Sequence, residues 1–432
     1  MALDARAAAA HVIGDVLKGR SLNQALPDRL EKVSEKDRGL LQQLCYGTLR
    51  QGPRLQAILR QLLDKPLKDK DADLQGLLMC GLYQLESMRI PDHAAVAETV
   101  GAVRALKKNW ARGMTNAVLR RFQREREQLV AALDEAAAAS HPRWLYKKVQ
   151  EQWPAAAPAI VAANNQQPPM TLRVNTRCQS RHDYLETLTS RHIEASAGQI
   201  SPHAIRLAQP RDVLELPGFA QGQASVQDEA AQMAAILLSA AAGERVLDAC
   251  AAPGGKACHI LELQPQLAEL VAMDIDQRRL EKVSENLRRL GLQATTLAGD
   301  AAQPPSQLAA ASFDRILVDA PCSASGVVRR HPDVKLLRRA SDISPLAEAQ
   351  LRIISGLWPL LSPGGTLLYA TCSILDEENS QVVRRFVNGQ DDAQLVIADT
   401  EWGEAVDCGR QLLPSPDGPD GLFYALLRKL PL

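Results

Sequence analysis

The sequence predicts a multidomain protein built from an all-α bundle, a small α/β connector and a doubly wound α/β domain. Three observations carry this. Up to about residue 140, apolar residues recur at helical spacing and no alternating strand pattern occurs. From Arg245 onward, short apolar strands alternate with helical stretches, as in a parallel sheet. Between the two, the break at Pro168-Pro169 opens a short region of alternating segments around one helix. At 432 residues the chain exceeds one ordinary core. The expected divisions are 1–140, 141–225 and 226–432.

An apolar fraction of 46% with 23% charged residues excludes a disordered chain. The net charge of zero hides a segregation that bears on partners. Eight Lys/Arg lie between Gly101 and Arg126 against Glu125 alone, and acids predominate from Ile374 to Asp420. No apolar run reaches the roughly 18 residues of a membrane span, and the N-terminus lacks a secretory pattern. The eight cysteines are scattered without a CxxC pair. Neither a metal site nor a disulfide framework is expected, and a reducing cytoplasm fits.

In the bundle, Leu40, Leu41, Leu44 and Leu49 form one helical stripe, and Leu74, Leu77, Leu78 and Leu82 another. Pro27, Pro53, Pro66 and Pro91 fall between the periodic segments. Cys45 and Cys80 sit inside apolar runs and read as core. Arg104, Lys108 and Arg112 are spaced four apart, so they are expected on one helix face, continued by Arg120, Arg121 and Arg124. Such a face can hold RNA phosphates; on charge alone a merely solvated surface fits as well. In the connector, strands over 170–176 and 203–208 flank a helix over 183–191, and Arg173, Arg177 and Arg181 are candidate phosphate contacts or ordinary surface arginines.

The last domain begins with a helix over 227–242. Strands are predicted at 245–250, 270–276, 294–300, 315–321 and 366–373, helices at 277–290 and 345–361, and edge strands at 394–398 and 422–428. The first four strands end in Asp248, Asp274, Asp300 and Asp319. Ligands of open parallel sheets bind outside these carboxyl ends. The first turn, CAAPGGKACH, offers Gly254 and Gly255 for close backbone approach. It is neither a GxGxxG fingerprint nor a phosphate loop. Asp274 stands where an acid holds ribose hydroxyls. A nucleoside cofactor without phosphates, S-adenosylmethionine, fits better than NAD.

Cys322 (DAPCS) and Cys372 (YATCS) end the fourth and fifth strands. If these strands are neighbours, both thiols share one rim beside the cofactor. Cytosine C5 is a poor nucleophile until a thiolate adds to C6, so paired thiols beside a methyl donor point to C5 methylation by covalent catalysis. Enzymes acting on amino groups use an Asn/Asp-Pro-Pro-aromatic turn, absent here. Spacing leaves open which cysteine attacks.

The segments LDACAAPGGKACHILEL, AMDID, AGD, DAPCSASGVVRRHPD and YATCSILDEEN together resemble the RNA cytosine-C5 methyltransferase family. DRGLLQQLCYGTLR, RIPDHAAVAETV and MTNAVLR resemble the helical RNA-binding domain of NusB. With PPMTLRVN, the match spans nearly the whole chain and is nearest to bacterial members acting on 16S rRNA. The resemblance implies a NusB-like bundle followed by a Rossmann-like methyltransferase domain that uses S-adenosylmethionine. It makes Cys372 the nucleophile and gives Cys322 product release. The cofactor contacts it implies are Ala251, Ala252, Pro253, Gly254, Gly255, Lys256, Ala257, Asp274, Asp300 and Asp319. Ala257-Cys258 departs from the family's usual Thr-Thr. The loop residues Arg329, Arg330, His331 and Lys335 are expected to hold phosphates beside an extruded base. The expected partner is 16S rRNA, free or partly assembled, bound by a monomer. The alternatives are the same chemistry on tRNA or 23S rRNA, and a non-catalytic NusB-like RNA-binding protein.

Overall fold

A computed structural model describes residues 3–398 and 400–431. Its contacts divide the chain into two units: Met1–Gln167 with Val328–Ala340, and Pro168–Val327 with Ser341–Leu432.

The first unit is helical. Its main helices are α1 (Ala5–Leu17), α2 (Arg38–Arg50), α3 (Gly52–Leu62), α4 (Ala72–Ser87), α5 (Asp92–Ala102), α6 (Arg112–Ala131), α7 (Arg143–Gln152) and α8 (Ala157–Asn164). Helix α4 is central because it is apolar on nearly every side, burying Leu74, Leu77, Leu78, Met79, Leu82 and Leu85. It lies directly against α1: a Cβ on Gly76 would stand 2.6 Å from the Ala10 carbonyl oxygen, so only glycine fits. Cys45 and Cys80 are buried core, as the periodicity predicts.

The expected single basic helix face does not exist. Helix α5 ends at Ala102 and α6 starts at Arg112, so Arg104 and Lys108 lie in the connection, where Lys107 takes a positive φ of 57°. A spacing of four places residues on one face only where the helix is continuous. The segment 328–340 also departs from expectation. It folds with the helices, placing Leu336 and Leu337 against the bundle core.

The second unit holds two sheets. The smaller, in order β2-β3-β1-β4, is antiparallel and comprises β1 (Thr171–Val174), β2 (Ala195–Ala197), β3 (Ala204–Leu207) and β4 (Ala224–Val226). It is covered by α9 (Arg181–Ser190), whose Tyr184 and Leu188 join its core.

After α10 (Glu229–Leu238), the larger sheet alternates β5 (Arg245–Asp248), α11 (Gly255–Leu263), β6 (Glu269–Asp274), α12 (Gln277–Leu290), β7 (Thr295–Ala298), β8 (Phe313–Asp319), α13 (Ile343–Leu357) and β9 (Leu361–Thr371). After α14 (Ser380–Asn388) come β10 (Ala393–Val396), β11 (Glu404–Val406), β12 (Gly409–Leu412) and β13 (Leu422–Lys429). The order is β11-β12-β13-β9-β8-β5-β6-β7, with β10 also on β13. Strands β5 to β9 are parallel, and β13 returns antiparallel beside β9. Both faces are buried: on β8, Leu317 enters one apolar cluster while Ile316 and Val318 enter another. This explains the continuous apolar run there. Strands β8 and β9 are neighbours, with Asp319 opposite Ala370.

Candidate active site

The acidic half of the candidate site lies at the carboxyl ends of β5, β6 and β8. The chain leaves β5 through a tight turn in which Gly254 adopts φ 98° and caps α11. Any side chain there would be strained and would press on Val283. Asp274 is buried, accepting the Ala252 N–H at 3.1 Å and the Asp276 N–H at 3.0 Å. Asp276 instead caps α12 through the Arg278 N–H. Division of labour between these two acids leaves the Asp274 carboxylate facing a cavity of about 300 Å³.

Asp300, Asp319, Ala252, Cys322 and Cys372 also line this cavity. Ala251, Pro253, Gly254, Gly255 and Lys256 are not among its lining residues; they form the turn after β5 and the start of α11. Ala257 and Cys258 are buried in the apolar cluster beneath, so the departure from Thr-Thr lies away from the lining. Sequence reasoning did not single out Cys250, Ile275, Arg279, Gly299 and Ile353, which also line the wall. Ile275 is 72% exposed there, next in sequence to the recognised Asp274.

Lys256 reaches the Asp319 carboxylate in a largely buried ion pair. Burial acts to lower its pKa, but Asp319, Asp248 and Cys372 outweigh that and hold it raised, so the ammonium stays charged. Asp248 lies deeper, with neither carboxylate oxygen in a geometrically sound hydrogen bond. Burial first, then the Asp319 charge, pushes its pKa up to about 7.

The two thiols meet as the strand order requires. Cys322 Sγ and Cys372 Sγ are 3.3 Å apart, and the Gly326 N–H to Cys372 carbonyl bond of 2.9 Å ties their loops together. The pair is asymmetric. Its contact with Cys372, then burial and the Glu378 charge, push the Cys322 thiol well up. Burial and Glu378 thus favour the protonated Cys322 thiol, and either sulfur can donate in the contact between them. Glu378 itself was not singled out from the sequence, where it is one of many acids between Ile374 and Asp420.

The basic residues divide. Arg329 and Lys335 are buried and so are not presented to a phosphate. The Lys335 ammonium donates to the Arg50 carbonyl at 2.8 Å and to Asn165, all within the first unit; burial and Arg50 lower its pKa well below the ordinary range. His331 Nδ1 is 3.5 Å from Asn23 Nδ2, and Arg330 is half-buried. Lys108 is engaged by Asp71 and Asp73. Arg104 and Arg112 remain exposed without an ion pair among the described residues, flanking Trp110, which is 64% exposed. Arg173 is no phosphate contact either: it is buried, paired through two nitrogens to Glu262, and donates to the Gly255 carbonyl at the start of α11 at 2.7 Å. No described helix is long and apolar enough to cross a membrane, and no metal-binding cluster occurs among the described residues.

Comparison with known proteins matches three successive stretches of the chain. A family model described as 16S rRNA methyltransferase RsmB/F matches residues 235–428, an RsmF/B-like ferredoxin-like domain matches 141–214, and the NusB family matches 3–124. The chain is 52% identical over 431 residues to ribosomal RNA small subunit methyltransferase B of Pseudomonas putida, covering 99% of each. It is 48% identical to the protein of that name from Vibrio vulnificus, covering 99% of this chain and 100% of that one. Among solved structures, PH0851 superposes with TM-score 0.83 at 22% identity, over 99% of this chain and 100% of that one. A methyltransferase homologue from Pyrococcus horikoshii superposes with TM-score 0.61 at 27% identity, over 69% and 99%.

Proposed function

The chain belongs to the 16S rRNA methyltransferase RsmB/F family, and from that premise we propose that it methylates C5 of a cytidine in 16S rRNA, using S-adenosylmethionine and a covalent adduct to Cys372. The observation that carries this reading is the 3.3 Å thiol pair at the rim of an acid-lined cavity.

The residues present suit the cofactor. Asp274 offers carboxylate lone pairs to a ribose diol, and the exposed Ile275 gives a purine face an apolar surface to cover. Gly299, Asp300, Asp319 and Arg279 make up the polar remainder of the wall. When bound, S-adenosylmethionine supplies an electrophilic methyl group. No phosphate-binding device is needed, and the turn has none.

The chain's own residues do the rest. Cys372, as thiolate beside the Lys256 charge, forms a bond to C6 of the pyrimidine and pushes electron density to C5. After C5 is methylated, loss of the C5 proton to solvent or a nearby base returns the C6–S electron pair to sulfur, and the bond breaks. Cys322 keeps its proton through this cycle and donates to the departing Cys372 sulfur, which assists release. The Lys256–Asp319 pair, adjoining both thiol and cavity, orients the base and keeps a charge next to Cys372. Exposed Arg104 and Arg112 attract phosphates without reading sequence, and Trp110 offers an unpaired base a stacking surface.

The pair of cysteine variants tests the reading. Cys322→Ala accumulates a denaturant-stable protein–RNA adduct, and Cys372→Ala loses both adduct and methyl transfer. An adduct that persists in Cys372→Ala and disappears in Cys322→Ala reverses the roles.

A further inference from the structure

We infer that Glu378 is a positioning residue for this reaction, its carboxylate clasping the two cysteine-bearing loops and setting the distance between their thiols. The inference rests on the reaction proposed above.

Glu378 is fully buried, and no cation pairs with it among the described residues. Burying a carboxylate without a counter-charge is costly unless donors surround it. Here the donors come from both thiol loops. Oε1 accepts the N–H of Ser323, the residue after Cys322, at 2.7 Å. Oε2 accepts the hydroxyl of Ser373, the residue after Cys372, at 2.6 Å. Gln350 Nε2 donates to Oε1 at 3.2 Å and to the carbonyl of Pro321, the residue before Cys322, at 3.0 Å. Tyr369 donates its hydroxyl to the Glu378 carbonyl at 2.7 Å, tying the clasp to β9.

A second layer closes the same gap. Ser325 Oγ accepts the Ile374 N–H at 3.0 Å and lies 3.0 Å from Ser373 Oγ, which also accepts the Leu375 N–H at 3.1 Å. Every one of these side chains except Glu378 is neutral or carries a high-pKa phenol, and all are buried. Glu378 does not line the cavity, so it acts through the loops. A carboxylate is the side chain of this length that accepts from both loops at once; an amide has a single acceptor oxygen. Glu378→Gln therefore keeps the shape but puts an N–H₂ donor where one acceptor oxygen stood, so one of the two charge-assisted bonds is lost: the Ser373 hydroxyl can no longer donate to that position if the amide oxygen keeps Ser323. The Glu378 charge also favours the protonated Cys322 that the release step uses.

The test uses the full-length protein and three measurements on Glu378→Gln. Mild oxidation with diamide reads thiol separation without RNA: the Cys322–Cys372 disulfide, followed by peptide mass spectrometry, should form roughly tenfold more slowly than in the unmodified protein, because disulfide geometry tolerates little displacement. Steady-state kinetics should show kcat lower by about 10²-fold with KM for RNA unchanged, the effect of a small misplacement of reacting groups. Cofactor affinity should be unchanged. Ser373→Ala, which removes the Oε2 partner with its Ser325 and Leu375 contacts but leaves the Glu378 carboxylate and its bond to Ser323, should show the same pattern more weakly and decides the matter if Glu378→Gln fails to fold. Unchanged disulfide formation and kcat would overturn the inference. So would a parallel collapse of kcat, cofactor affinity and Tm, which marks a purely structural residue. If the unmodified protein forms no 5-methylcytidine, the reaction reading fails separately, while the oxidation rate still decides the clasp.

Discussion

At the scale of single residues, the cysteines were readable because each sits beside a strand-end motif, while their partners were not. Glu378 stands among many acids in the sequence, Asp248 reads as a strand-end acid and Arg173 as a phosphate contact or surface arginine, and burial changes the reading of all three. For Asp248 burial has a measurable consequence. Carrying its carboxyl from the ordinary 3.8 to about 7 costs on the order of 4 kcal/mol at neutral pH. The folded protein holds a proton there that the unfolded chain releases above pH 3.8. Stability from this group therefore falls as pH rises from about 4 to about 7, then levels off. Asp248→Asn should match the unmodified Tm near pH 4 and exceed it by a margin that grows to pH 7, read by thermal melts across pH. A margin independent of pH would show that Asp248 is not held protonated.

At the scale of elements, sequence patterning located the parallel strands; in β5, β6, β8 and β9 burial on both faces writes an apolar run, while β7 is an exposed edge strand that the alternation with helices marked. It missed β2, β4, β11 and β12, which are three or four residues long and carry little pattern. It also placed 328–340 in the methyltransferase domain, since nothing local says that Leu336 and Leu337 pack against helices. The basic character of that segment suggested phosphates, yet Lys335 spends its donors on Arg50 and Asn165.

Close by, His141 donates from Nδ1 to the Ala139 carbonyl at 2.7 Å and accepts from Asn164 at Nε2, 3.2 Å away, an arrangement that requires the neutral ring. Burial first, then Lys335, lowers its pKa to about 3. The unfolded chain takes up a proton below about pH 6.5 and the folded one does not until about 3, so stability is lost as pH falls through that window, on the order of 5 kcal/mol. His141→Gln should flatten the acid limb of helical unfolding between pH 6.5 and 4, followed by circular dichroism. An unchanged limb would remove His141 as its cause.

At the scale of the whole molecule, net charge zero concealed where RNA could bind. Segregation of charge was legible; which cations are free to act was not, because Lys108 is neutralised by Asp71 and Asp73. We assign sequence-independent affinity to Arg104, Arg112 and Trp110. Replacing both arginines by alanine should lower the salt slope of RNA binding by about 2, since each arginine neutralises one phosphate. Trp110→Ala should weaken binding roughly tenfold with the slope unchanged, as removal of a stacking surface does. Filter binding across salt concentrations checks both, and slopes equal to the unmodified protein's would place the RNA elsewhere.

The bond that we propose Cys372 forms to the base, with release assisted by Cys322, is the step on which the proposed activity turns. Digesting the RNA adduct of the Cys322→Ala protein and sequencing the cross-linked peptide by mass spectrometry tests it directly. The expected result is a nucleotide mass on the peptide at Cys372 and none in Cys372→Ala; a mass on any other residue, or no adduct at all, would contradict it.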